Sequence, residues 1–217
     1  MPRPLLTVWL LASAMLVAPL ALNAKPKRVS IAPFFWNDHN VCTAWSLKDT
    51  GRWVTAVHCL GMLKDEEAEP GEEDEEEAAT PPPVYKVQDQ IATVLILFIE
   101  DDLAVLTTQE GAPAVRLARR APAMGDPVHM IGYPLGLAQP MYTMGIIANP
   151  QVVATSRWVA GLWAGIPVCQ GESGSPLLNA ADEVLTVFQR LPTAPCAAFA
   201  VGIPWETMVK DLKPLTK

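Results

Sequence analysis

Short runs rich in apolar and β-branched residues alternate along this chain with clusters of turn formers. Ile31 to Trp36, Val41 to Leu47, Arg52 to Val57, Val84 to Val87, Ile91 to Ile99 and Leu103 to Thr108 are such runs, separated by groups such as Asn37-Asp38 and Asp49-Thr50-Gly51. Segments of this length and composition predict β-strands, and six in succession predict a barrel-like half over about residues 30–110. Glu110 to Ala123, broken by Gly111, Pro113 and Pro122, reads as a crossing segment. A second half is expected over about 124–203, and Pro204 to Leu212 suits a short helix with proline in its first turn.

The first 24 residues follow a different pattern. Arg3 opens an apolar segment from Leu5 to about Ala21, interrupted by Thr7, Ser13 and Pro19, and Ala21-Leu22-Asn23-Ala24 supplies small residues for cleavage. An unbroken span of roughly 20 apolar residues is needed to cross a bilayer. A signal peptide over 1–24 is therefore expected, with an uncleaved N-terminal anchor as the alternative. Residues 25–217 fit one catalytic unit and can bury a core without metals.

The net charge of −7 is local in origin. Asp65 to Glu77 hold ten of the 23 acids and no base, which leaves 16 bases against 13 acids elsewhere. That tract and the Pro81-Pro82-Pro83 after it have little to bury, so a disordered insertion over about 64–83 is expected. It lacks the Asp-x-Asp-x-Asp-Gly spacing of a Ca²⁺ loop, and no metal or other cofactor is expected. The four cysteines, Cys42, Cys59, Cys169 and Cys196, form no Cys-x-x-Cys pair. In an exported chain an even count favours two disulfides, for which three pairings exist.

The candidate chemistry begins at Gly171-Glu172-Ser173-Gly174-Ser175-Pro176. Glycines on both sides of Ser173 permit a tight turn that exposes its hydroxyl and leaves backbone N–H groups free for an oxyanion. A serine attacks only when a neutral imidazole takes its proton and a carboxylate fixes the imidazole's tautomer. Upstream, Thr55-Ala56-Val57-His58-Cys59 ends an apolar run in a histidine, and Asp101-Asp102-Leu103-Ala104-Val105-Leu106 puts acids at the start of another.

These three motifs, in the order His, Asp, Ser, resemble the chymotrypsin-like serine proteases. Gly132-Tyr133-Pro134-Leu135-Gly136, Met144-Gly145-Ile146-Ile147 and Phe199-Ala200-Val201-Gly202-Ile203-Pro204 are similar to the Deg/HtrA branch. The resemblance covers about residues 40–212, apart from the acidic insertion, and implies an all-β fold of two six-stranded antiparallel barrels with a short C-terminal helix. It implies His58, Asp102 and Ser173 as the triad, with Asp102 preferred to Asp101 because it abuts Leu-Ala-Val-Leu. It places the oxyanion hole at the amides of Gly171 and Ser173, and pairs Cys42 with Cys59 and Cys169 with Cys196. It puts the specificity pocket at Pro167, Phe199 and Val201, where no acid receives Lys or Arg, so cleavage after small or medium aliphatic residues is expected. Protein or peptide substrates in the periplasm or outside the cell are implied, with no nucleic-acid partner. Deg-type proteins often carry a PDZ module after this helix; the chain ends at Lys217, so PDZ-controlled assembly is not expected.

Glu172 departs from the Asp of trypsins and the Asn common in Deg-type enzymes. In zymogens of the family, a new N-terminal ammonium pairs with this acid after cleavage at a basic residue such as Arg28; a solvated basic segment over Lys25 to Arg28 is the expected alternative. His39, in a polar turn, and His129, in an apolar strand, lack partnering motifs and are expected to be structural or surface residues. Trp158 and Trp163 are expected in the core rather than the cleft.

Overall fold

The computed structural model describes residues 30–48, 51–61, 82–154, 160–190 and 195–216. The signal segment, the basic stretch before Val29, the acidic tract and Trp158 lie outside them.

The first six strands are β1 (Ile31–Trp36), β2 (His39–Lys48), β3 (Arg52–Thr55), β4 (Tyr85–Val87), β5 (Gln90–Phe98) and β6 (Leu103–Thr107). They close into an antiparallel barrel in the order β1-β2-β3-β6-β5-β4. The crossing segment is not wholly irregular: it contributes β7 (Arg116–Leu117), which pairs in parallel with β13 (Glu183–Arg190). The remaining strands are β8 (Pro127–Gly132), β9 (Met141–Val152), β10 (Gly161–Gly165), β11 (Val168–Cys169), β12 (Pro176–Asn179), β14 (Cys196–Ala197) and β15 (Ala200–Gly202). The order β12-β8-β9-β10-β15-β13, with β12 also paired to β13, closes a second six-stranded antiparallel barrel. β11 and β14 form a separate two-stranded ribbon. Closure leaves neither ring an open edge of its own.

The unbroken apolar runs follow from where the cores sit. One core fills the first barrel (Trp53, Ala104, Leu106), another fills the second (Met130, Ile147, Phe188), and a third lies between them (Trp45, Val54, Leu103, Val105, Val187). Successive residues of a strand point to opposite faces. In β6, Ala104 and Leu106 enter the first barrel while Leu103 and Val105 enter the shared core, so both faces are apolar. The helix α1 (Trp205–Leu212) closes the shared core from outside with Met208 and Leu212. Pro204 precedes it at the N-cap.

The predicted third strand, to Val57, is two residues shorter. The Val57 amide leaves the ladder and donates to the Asp102 carbonyl at 3.2 Å. His58–Leu60 then form a single 3-10 turn, ended by Gly61 in the left-handed region.

Candidate active site

His58 is fixed from two directions. Cys59 is bonded to Cys42 of β2, which ties the histidine turn to the barrel wall. Asp102 holds the other side: its Oδ1 accepts the His58 amide at 2.9 Å and its Oδ2 accepts Nδ1–H at 2.7 Å. An Nδ1–H given to the carboxylate leaves Nε2 as the ring's free lone pair. Asp102 adopts φ 48°, ψ 43°, a left-handed conformation that costs a non-glycine residue about 1 kcal/mol or more. The turn that imposes it, Ile99–Asp101, reverses the chain between β5 and β6 and delivers the carboxylate to His58. Asp101 does not reach His58; its carbonyl accepts Gln189 Nε2 at 2.7 Å.

Ser173 lies on the loop before β12, and among the described residues no hydrogen bond joins its Oγ to His58. Its carbonyl accepts the Thr43 amide at 2.8 Å, and its Oγ donates to the Gln189 carbonyl at 3.1 Å. Gly174, at φ 84°, permits this approach: a Cβ there would stand 2.2 Å from the Thr43 carbonyl oxygen and 3.1 Å from the Ala56 amide. The serine loop of the second barrel is therefore bonded to β2 of the first and lies close against the Thr55-Ala56 segment that leads to His58.

The Gly171 and Ser173 amides have no acceptor among the described residues. Gly171 sits at φ 91°, and a Cβ there would be 2.7 Å from the Tyr133 carbonyl oxygen. Its own carbonyl accepts Thr43 Oγ1 at 3.0 Å, and the same hydroxyl accepts the Tyr133 amide at 3.0 Å. Fully buried Thr43 thus sets the orientation of the loop that offers the two free amides. Glu172 is buried beneath this loop, its Oε2 taking the Cys169 amide at 2.6 Å. Burial pushes its pKa up, and the Cys169 hydrogen bond opposes that. The cationic terminus weighed as its partner lies outside the described residues.

The second disulfide joins Cys169 of β11 to Cys196 of β14. Pro167 is exposed in the turn between β10 and β11. Phe199 is half exposed, its ring 6.4 Å from that of Trp163, while Val201 is buried opposite Trp163 in the β10–β15 pairing. Trp163 itself is partly buried. His39 is exposed at the start of β2. His129 is buried, meets Asp182 through Nε2 at 2.9 Å and stacks on Tyr142. Cys42, His58 and Cys59 gather closely enough to hold a metal ion, but the two sulfurs are bonded to each other and cannot ligate as thiolates.

Two site residues escaped the sequence reading. Thr43 acts through carbonyls and amides more than 80 residues away, and Gln189 through its own carbonyl, which accepts Ser173 Oγ–H, and its side chain, which donates to the Asp101 carbonyl. The one available signal was a buried-strand threonine beside Cys42.

No curated protein matches the sequence. Among solved structures, the chain is similar to an HtrA-type protease, AlgW, bound to a decapeptide, at 20% identity and a TM-score of 0.62, over 81% of this chain and 51% of that one. It is also similar to a serine endoprotease from Yersinia pestis, at 21% identity and a TM-score of 0.62, over 86% of this chain and 62% of that one. The chain thus spans about half to three-fifths of the length of these structures, and the likeness concerns the fold. The family model for the trypsin-like peptidase domain matches residues 42–187, which include His58, Asp102 and Ser173. With that match across most of the chain, on two six-stranded barrels, the protein belongs to the trypsin-like peptidases.

Proposed function

We propose that the chain is an exported serine endopeptidase in which Ser173, His58 and Asp102 form the catalytic triad. The observation that carries this reading is the Asp102 carboxylate gripping both the ring and the amide of His58, with the Ser173 carbonyl bonded to Thr43 of β2, the strand that the Cys42–Cys59 disulfide ties to the histidine turn. Ser173 Oγ, released from the Gln189 carbonyl by rotation about its Cα–Cβ bond, attacks a peptide carbonyl while its proton passes to His58 Nε2. The oxyanion is held by the Gly171 and Ser173 amides, each such donor being worth about 2.7–4 kcal/mol in the transition state. The imidazolium then protonates the leaving amine, and water, activated by the regenerated imidazole, hydrolyses the acyl-enzyme.

Two disulfides favour an oxidising compartment, and the N-terminal apolar segment favours export to the periplasm or beyond. Pro167, Phe199 and Val201 as pocket residues offer no charge, which favours small or medium aliphatic side chains at the cut position.

A fluorophosphonate probe tests the chemistry directly. Mass spectrometry is expected to find the adduct on Ser173, absent in Ser173→Ala and strongly slowed in His58→Ala. Intact protein that leaves the probe unreacted would favour a trypsin-fold binding protein without catalysis.

A further inference from the structure

Away from the cleft, a groove of about 670 Å³ runs between β7 and α1. That volume is in the usual range for ligand sites. Leu117, Trp205 and Val209 give it apolar walls, and Arg116, Arg119 and Lys213 stand around it. The three cations are exposed, and none has a carboxylate partner among the described residues. No acid lines the groove. The acid opposite Arg116 across the ladder, Glu183, has its carboxylate held by Asn179 at 3.1 Å.

β7 also ends its sheet: it pairs with β13 on one side, and on the other the Ser46 carbonyl of β2 takes the Val115 amide while, among the described residues, no strand pairs with Leu117. The Ala118 amide donates to Val184 O, so the Leu117 amide and carbonyl, one residue back, point away from β13. An open strand edge binds an extended main chain, apolar walls take alternate side chains, and unpaired cations select acids for the others.

We propose that this groove docks an extended segment of a partner protein in which acidic and apolar residues alternate, added as a further strand to β7. The segment's main chain pairs with Leu117, its carboxylates meet Arg116, Arg119 and Lys213, and its apolar side chains pack on Trp205 and Val209. The site is separate from the cleft and does not depend on its chemistry.

The test is fluorescence anisotropy of a labelled peptide of alternating Glu and Leu, titrated with the full chain carrying Ser173→Ala so that the peptide stays whole. The Arg116→Glu/Arg119→Glu double variant is expected to weaken binding about tenfold, roughly two pairs' worth of exposed charge. N-methylation of alternate peptide amides is expected to weaken it comparably, and Lys in place of Glu to abolish it. In the Ser173 background the double variant is expected to keep wild-type fluorophosphonate labelling, showing that it folds. Unchanged affinity in the double variant, or in the N-methylated peptide, would overturn the proposal. So would displacement by a small tricarboxylate at the same concentration as peptide. Deletion of residues 65–77 that raises affinity severalfold would identify the chain's own acidic run as the occupant and overturn the partner assignment.

Discussion

Thr43 carries more of the site than its small side chain suggests. Its hydroxyl accepts from the Tyr133 amide and donates to the Gly171 carbonyl, and its amide holds the Ser173 carbonyl. Thr43→Val keeps the shape and strands two buried backbone groups, at about 1–3 kcal/mol. We expect a fall in kcat of about 10–100-fold with KM nearly unchanged, restored by Thr43→Ser; steady-state kinetics on a peptide substrate checks it. Asp102→Asn should lower kcat about 10⁴-fold by presenting the wrong tautomer, measured in the same assay. Asp211 of α1 offers a pH test. Burial raises its pKa, with contact and repulsion from Asp101 adding to this and Lys210 opposing it. An acid whose folded pKa is raised favours the fold fully below its ordinary value, and that contribution is lost as pH rises through the raised one. Asp211→Asn should therefore raise Tm at pH 7 by about 2–4 °C and leave it unchanged below about pH 4, as thermal melts across pH would show.

At the scale of elements, the disulfide between Cys42 and Cys59 closes a segment of 17 residues that includes β3 and the start of the histidine turn. Cys42→Ala/Cys59→Ala should cost about 3 kcal/mol, read from denaturant midpoints. Five of the first six strands were legible because both their faces are buried or their apolar runs are bounded by turn residues; Val84–Val87 was legible mainly through the tyrosine and valines within it. What the pattern could not supply were the two-residue strands. Arg116-Leu117 and Cys196-Ala197 are too short to have a period, and they exist because β13 and β11 present a ladder to them. The strand that should have reached Val57 stops at Thr55 because a carbonyl 45 residues downstream takes the Val57 amide, and no local rule contains that competition. Within the site, the pairing of His58 with Asp102 was readable from motif order. The roles of Thr43 and Gln189 were not, since each is made by backbone groups brought in from the other barrel.

For the molecule as a whole, the shared core makes the halves interdependent. Leu103, Val105 and Trp45 of one barrel pack with Leu178 and Val187 of the other and with Met208 and Leu212 of α1. Val187→Ala should cost about 2–3 kcal/mol and lower a single unfolding transition, with calorimetric and van't Hoff enthalpies in agreement; two separated transitions would contradict this. Hydrogen bonds span the cleft above that core from Thr43 to Ser173, Gly171 and Tyr133, and from Gln189 to Asp101. Parting these rims like jaws would break all of those bonds and open the shared core, so shifting one loop that borders the crevice costs less than swinging one barrel from its neighbour.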